Sequence, residues 1–293
     1  LSLIASDADG ERCLGAVALT AQLPFLLAVA PEWTDEHLMP LLDWERNEET
    51  ALALWTGFFR SFRLPLLTDE FLDGIAGSFS RTRQFDETTR RQIPKYIEAL
   101  LDTDSNALTS QWLPAFLQGA EDSDRALMWQ KIRYSLGDRQ EGEEENLFDA
   151  MWQARGKALV ERRLAGGRPD LEEEEWEAIV DLCPRLDAFF AESVSLIERR
   201  RTAPRFERGM DALHRLASDD SERGLEHLWH HPNALSRFLL YILSAQEAPA
   251  YWLSELGEAL ARLQEIDGVE ASLLARLKDR YVELGGRLED VHP

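Results

Sequence analysis

Residues 147–201 read LFDAMWQARGKALVERRLAGGRPDLEEEEWEAIVDLCPRLDAFFAESVSLIERRR, and this stretch decides the fold class. Phe148, Met151, Trp152 and Leu159 recur at helical spacing, while Arg155, Lys157, Glu161, Arg162 and Arg163 fill the remaining faces. One side of such a helix can pack while the other is solvated. Gly166-Gly167 supplies a residue able to adopt positive φ, and Pro169 cannot continue a helix, so the chain must turn there. Asp170 is then the expected N-cap. The acids Glu172 to Glu175 fall in the following first turn, where carboxylates favour the positive end of the helix dipole. Trp176, Ile179, Val180 and Leu182 give that second helix its apolar side up to Pro184. Leu186, Phe189, Phe190, Val194 and Ile197 predict a third, with Arg199, Arg200 and Arg201 at its negative end. Short connections of this kind join antiparallel neighbours.

The same grammar extends outward. Thr34 is the expected cap of a short helix before Pro40, and Leu52, Trp55, Phe58, Phe59 and Phe62 form an aromatic core face. Phe71, Leu72 and Ile75 mark the next apolar side, and a further helix begins near Asp86. Trp112, Phe116 and Leu117 predict a short helix; Leu127, Met128, Ile132 and Leu136 begin another after the polar break from Gly119 to Ser123. Pro204 is expected to open a helix carrying Phe206, Met210, Leu213 and Leu216. Pro232 opens one carrying Leu235, Phe238, Leu239, Ile242 and Leu243. Leu253, Leu256, Leu260 and Leu263, then Leu274, Leu277, Tyr281, Leu284 and Leu288, are the cleanest packing seams. No segment alternates with period two for long enough to compete as a strand. The expectation is an all-α fold of stacked antiparallel helix pairs, an irregular α-solenoid or helical bundle, divided near residue 120 into subdomains 1–120 and 121–293.

Composition narrows the function classes. With 44% apolar residues, nine Trp and thirteen Phe, the chain can bury a substantial core. Fifty-four acidic against thirty-two basic residues leave a formal net charge of −22. That balance argues against general nucleic-acid or anionic-membrane binding, because both surfaces are themselves negative. The basic segments Arg81 to Lys95 and Arg199 to Arg208 are the places that could escape this argument. Cys13 and Cys183 lack metal-knuckle spacing and form no disulfide framework, which suits a reducing cytoplasm. The uncharged stretch from Cys13 to Pro31 is interrupted by Thr20, Gln22 and Pro24 and is short for a membrane span. It is expected to be a buried or terminal helix kinked near Pro24. The start at Leu1 suggests a piece of a longer polypeptide.

The candidate metal set is His227 and His231, sharing one helix face at i, i+4, with His214 approaching from the preceding helix. Capping or surface histidines explain the same residues, and the order of His-Glu-x-x-His is missing. Asp219-Asp220 and the Glu172 to Glu175 run read as turn and helix-start acids, Cys183 as a small buried apolar residue. Gly166-Gly167-Arg168 lacks the spacing of a phosphate cradle. No catalytic, cofactor-binding or metal residue is therefore assigned.

Asp43-Trp44, Glu48-Glu49 and Leu54-Trp55-Thr-Gly57-Phe58, with Trp152, the run Arg163-Leu-Ala-Gly-Gly-Arg-Pro-Asp-Leu171, and Phe189, Phe190 and Val194, resemble a helical domain of unknown function. That domain occurs at the C-terminus of bacterial proteins whose N-terminal part is a SIR2-like, NAD-hydrolysing domain. The resemblance spans most of the chain and rests on scattered Trp, Gly and Pro positions. It implies an anti-phage defence protein with its catalytic residues outside this chain, which would hold the effector inactive, assemble it, or recognise a phage component. The expected partner is thus a protein, either a phage component or the chain's own effector domain, with a homo-oligomer left open. A general interaction or oligomerisation scaffold and a metal-dependent hydrolase built on His214, His227 and His231 are the alternatives.

Overall fold

Proline and glycine punctuate the chain, and the computed structural model places helix ends at most of these marks; it describes residues 15, 17–61, 69–103, 110–139, 147–166, 169–206, 225–245 and 250–291. The fold is all-α, with no strand among the described residues. The helices are α1 (Leu23–Val29), α2 (Pro31–His37), α3 (Glu48–Ser61), α4 (Asp69–Phe79), α5 (Glu87–Arg90), α6 (Ile93–Thr103), α7 (Trp112–Gly119) and α8 (Asp122–Arg139). They continue as α9 (Leu147–Met151), α10 (Lys157–Leu164), α11 (Glu173–Val180), α12 (Phe190–Ile197), α13 (Pro232–Leu243), α14 (Ala250–Glu265) and α15 (Ala271–Glu283).

The chain forms two compact units, one comprising Leu1–Ile132 with Arg168–Asp170, the other Arg133–Gly167 with Leu171–Pro293. The expected division near residue 120 instead falls later, inside α8. The polar break at Gly119 to Ser123 only separates α7 from α8.

In the first unit the core is aromatic. Trp55, Phe58 and Phe59 of α3 are buried together with Phe71 and Phe79 of α4 and Tyr96 of α6. Trp55 meets Phe58 edge-on at 5.4 Å and stacks on Phe59 at 5.7 Å. Its indole Nε1 donates to the Leu42 carbonyl at 2.9 Å, and the Tyr96 hydroxyl donates to the Phe58 carbonyl at 2.8 Å. The polar tips of these rings are thereby satisfied where water is excluded. Phe62 lies outside the described residues. Helix α4 packs on α7, where Phe79 meets Trp112 and Phe116. A Cβ at Gly119 would stand 2.1 Å from the Phe79 carbonyl oxygen, so only a glycine lets the two backbones approach. Gly119→Ala is expected to cost about 1–3 kcal/mol, the range of overpacking at a contact that cannot relax. A shift of the urea midpoint would measure it.

In the second unit, α9 and α10 are one helical run interrupted by a π turn at Trp152–Gly156. Gly166 has φ 87° and ends α10 as expected. Trp176 is buried, and its Nε1 lies 3.1 Å from the Tyr241 hydroxyl. That hydroxyl reaches the Arg200 and Thr202 carbonyls, so the indole tip and the end of the α12 segment are tied to α13. In α13, Leu235, Phe238, Leu239, Ile242 and Leu243 are all fully buried, as the spacing after Pro232 predicts.

Several local expectations need correction. The break expected near Pro24 is a turn at Ala21–Gln22, after helical residues 17–20; Pro24 itself sits in the first turn of α1, where its missing N–H is no loss. Thr34 lies inside α2, which starts at Pro31, and its hydroxyl donates back to the Ala30 carbonyl instead of capping. Asp170 is not the cap of α11; Glu172 holds that position in extended backbone. The last seam stops early: α15 ends at Glu283, Gly285 takes φ 101°, and Leu288 is half exposed in a separate 3-10 turn. The helix expected to open at Pro204 does not begin there: Pro204, Arg205 and Phe206 are irregular, with Phe206 buried, and Met210, Leu213 and Leu216 lie outside the described residues.

Candidate protein-interaction site

The charged side chains divide into those that hold the fold and those that face outward. Arg163 of α10 and Glu175 of α11 belong to the first class. The guanidinium and carboxylate meet in a two-pronged pair at 2.8 Å on each arm, with essentially no exposure of either residue. Arg163 is therefore not on the solvated face expected for it, nor is Glu175 an exposed helix-start acid. The pair joins two helices across the glycine turn at Gly166. Planar guanidinium matches carboxylate geometry, which is what allows both charges to leave water together.

The first basic segment is largely engaged by the chain itself and the second in part, with Arg201 and Arg205 exposed. In the first, Arg81 lies over the Trp44 ring at 4.9 Å, Arg83 donates to the Ala120 carbonyl, Arg90 pairs with Glu121 and Asp124, and Arg91 pairs with Glu87. A helix does begin at Asp86, whose carboxylate caps α5 through the Thr89 N–H and also pairs with Arg60. Although desolvation raises the Asp86 pKa, the contacts to Thr89 and Arg60 outweigh it and hold the carboxyl below its usual value. In the second segment, Arg199 approaches Glu161 at 3.9 Å and Arg200 lies over the Trp176 ring at 5.2 Å. Arg208 lies outside the described residues.

The histidines do not assemble as the sequence suggested. Glu226–His230 is a 3-10 turn, so His227 and His231 do not share a face at α-helical spacing. His227 Nε2 lies 3.0 Å from the Pro184 carbonyl, an acceptor only, so this nitrogen carries the proton and is occupied. His231 stands 3.8 Å from Asp187, and His230 is exposed. His214 lies outside the described residues. Among the described residues, no group of three His, Cys, Asp or Glu side chains is placed to hold a metal ion. Cys183 is buried, and burial pushes its thiol up to about 12, so it remains protonated at neutral pH.

Desolvation lowers the His227 pKa from its ordinary 6.5, against weaker opposing effects of the Pro184 carbonyl, Asp187 and Asp149. A depressed folded-state pKa means that the unfolded chain takes up this proton first. The contribution of His227 is therefore intact above 6.5 and is lost as pH falls from there through the lower folded value. Urea unfolding at about pH 7.5 and about pH 5 should show the wild type losing more stability than His227→Gln, with the difference isolating this residue from the carboxylates. Equal losses would remove His227 from the account.

One surface has the opposite character. Helix α1 carries Phe25 at 57% and Val29 at 58% exposure, one turn apart on the same face. Ala18, Gln22 and Ala28 are exposed too, and no charged residue occurs from Gly15 to Pro31. Helix α2 packs against α1 and presents the exposed acids Glu32, Asp35 and Glu36, whose spacing puts them on one helix face. This uncharged stretch is the one expected to be a buried or terminal helix; the structure places Leu23 inside and Phe25 and Val29 outward.

No family model, curated protein or solved structure matches the chain. The site therefore rests on its own geometry. No helix of the described residues is long and apolar enough to cross a membrane. The short α1 is thus an exposed apolar element outside any described span, and contiguous apolar surface of this kind is characteristic of binding faces.

Proposed function

We propose that this chain is a non-catalytic helical module that recognises a protein, acting as the sensing or regulatory arm of a larger bacterial defence protein with a SIR2-like NAD-hydrolysing domain elsewhere in the polypeptide. The observation that carries the recognition role is the exposed apolar face of α1 in a chain of net charge −22. Three of the groups weighed for chemistry have structural employment: His227 on a carbonyl, Cys183 as a buried thiol, Glu175 on Arg163. The link to NAD hydrolysis comes from the Trp, Gly and Pro positions of the resemblance.

The test compares NAD consumption by the purified chain with that of the native polypeptide containing it. The expected result is no turnover by the chain alone, and turnover by the native polypeptide that rises when its trigger is supplied by phage infection. Hydrolysis of NAD by the isolated chain would refute the assignment. A general scaffold remains the second reading, favoured by the same apolar face; it predicts that deleting the chain abolishes assembly but leaves triggering intact.

A further inference from the structure

Of the four large hydrophobic residues that stand exposed among the described ones, Phe25 and Val29 share a single helix of seven residues. Isolated exposed apolar residues are ordinary, but two on one turn, flanked by exposed Ala28 and Pro31, form a small continuous face. In the other described α-helices, exposed positions carry charged, polar or small residues, with Val282 the one large hydrophobic among them. The pairing of two exposed large apolar side chains on one turn is thus local. Immediately after it, Glu32, Asp35 and Glu36 supply a row of exposed carboxylates on α2.

We infer that the α1–α2 hairpin docks a basic amphipathic helix of a partner protein, its apolar side seated on Phe25 and Val29 and its Lys or Arg side chains meeting Glu32, Asp35 and Glu36. An amphipathic helix presents apolar anchors at i, i+3 and i+4, the spacing that a one-turn face can receive, and a flanking row of cations complements the acids. A second copy of this chain fits less well. An isologous pairing brings the acidic row against its own copy, between molecules that each carry a charge of −22. This inference rests on the protein-recognition role proposed above and names the chemistry of the partner.

The probe is a fluorophore-labelled synthetic helix of Leu and Lys, with a Leu and Glu helix of the same pattern as control, titrated by anisotropy against the full chain. The Leu/Lys helix is expected to bind saturably and the Leu/Glu helix not to bind. Charge attraction alone would produce the same contrast, so the deciding variant is Phe25→Glu with Val29→Glu. It makes the chain more negative, yet seating on the apolar face requires binding to weaken by ~10-fold or more. Both positions are exposed, so the helical circular dichroism should be unchanged; Phe25→Ser with Val29→Ser is the milder variant if it is not. Glu32→Gln, Asp35→Asn and Glu36→Gln together should weaken binding and flatten its salt dependence. The inference is overturned if the double Glu variant binds the Leu/Lys helix as tightly as the wild type. It is equally overturned if the wild-type chain dimerises and that variant is monomeric, because a second copy then owns the face. NAD turnover is read separately, so failure here leaves the regulatory role standing or falling on its own assay.

Discussion

Replacing Arg163 with Met is expected to destabilise the chain by roughly 3–5 kcal/mol, the cost of stranding one partner of a buried ion pair. Glu175 is fully buried, and the variant removes both prongs of the contact that meets it at 2.8 Å. Its carboxylate then either stays charged in a dry environment or takes up a proton, and both cost free energy. The double variant Arg163→Met with Glu175→Leu should recover most of the loss, because the carboxylate is removed together with the guanidinium it faces. Urea unfolding followed by circular dichroism would record a lower midpoint for the single variant and a restored one for the double. If the single variant unfolds at the wild-type midpoint, the pair does not hold α10 to α11 as described. Arg163→Lys is a useful intermediate: it keeps the charge but cannot form two parallel bonds, so it should fall between the two.

Trp55→Ala should cost ~3–5 kcal/mol, in the range of large-to-small changes at buried aromatic sites. Trp55 is 1% exposed and touches Phe58, Phe59 and Phe71. The substitution leaves a cavity in the middle of the aromatic cluster and orphans the Leu42 carbonyl, which now accepts from Nε1. Trp55→Phe separates the contributions, retaining a ring while losing the donor, with about 1–3 kcal/mol expected for the unsatisfied carbonyl and reduced volume. Gly74 packs close to the indole edge, since an added Cβ would lie 3.2 Å from Trp55 Cζ2. A Trp55→Ala chain that melts with the wild type would show that this cluster is not the core of the first unit.

Much of the fold was legible because period and punctuation agree. In α13 the proline start and the apolar spacing point to one answer, and every predicted core residue there is buried. The start of α5 near Asp86 was legible as well, since a short acidic side chain suits the residue before a helix. Thr34 and Asp170 were not, since proline at Pro31 and an extended Glu172 took the helix start from them. Buried charge is invisible to patterning: Arg163 sits among Arg155, Lys157 and Arg162, and nothing local distinguishes the arginine whose partner lies on the next helix. The same limit applies to the interaction face. An uncharged stretch does not say which of its residues face outward; only the three-dimensional packing shows Phe25 and Val29 more than half exposed. His227 and His231 were paired on the assumption of α-helical geometry, and the 3-10 turn removed that assumption.

The most direct test of the central claim is the intact mass of the native protein captured from its own cells by an antibody against this chain. The regulatory account predicts a polypeptide much larger than the 33.5 kDa of these residues, with a SIR2-like NAD-hydrolysing domain encoded upstream of Leu1. A native protein that begins at or near Leu1 and has the mass of this chain alone would contradict it.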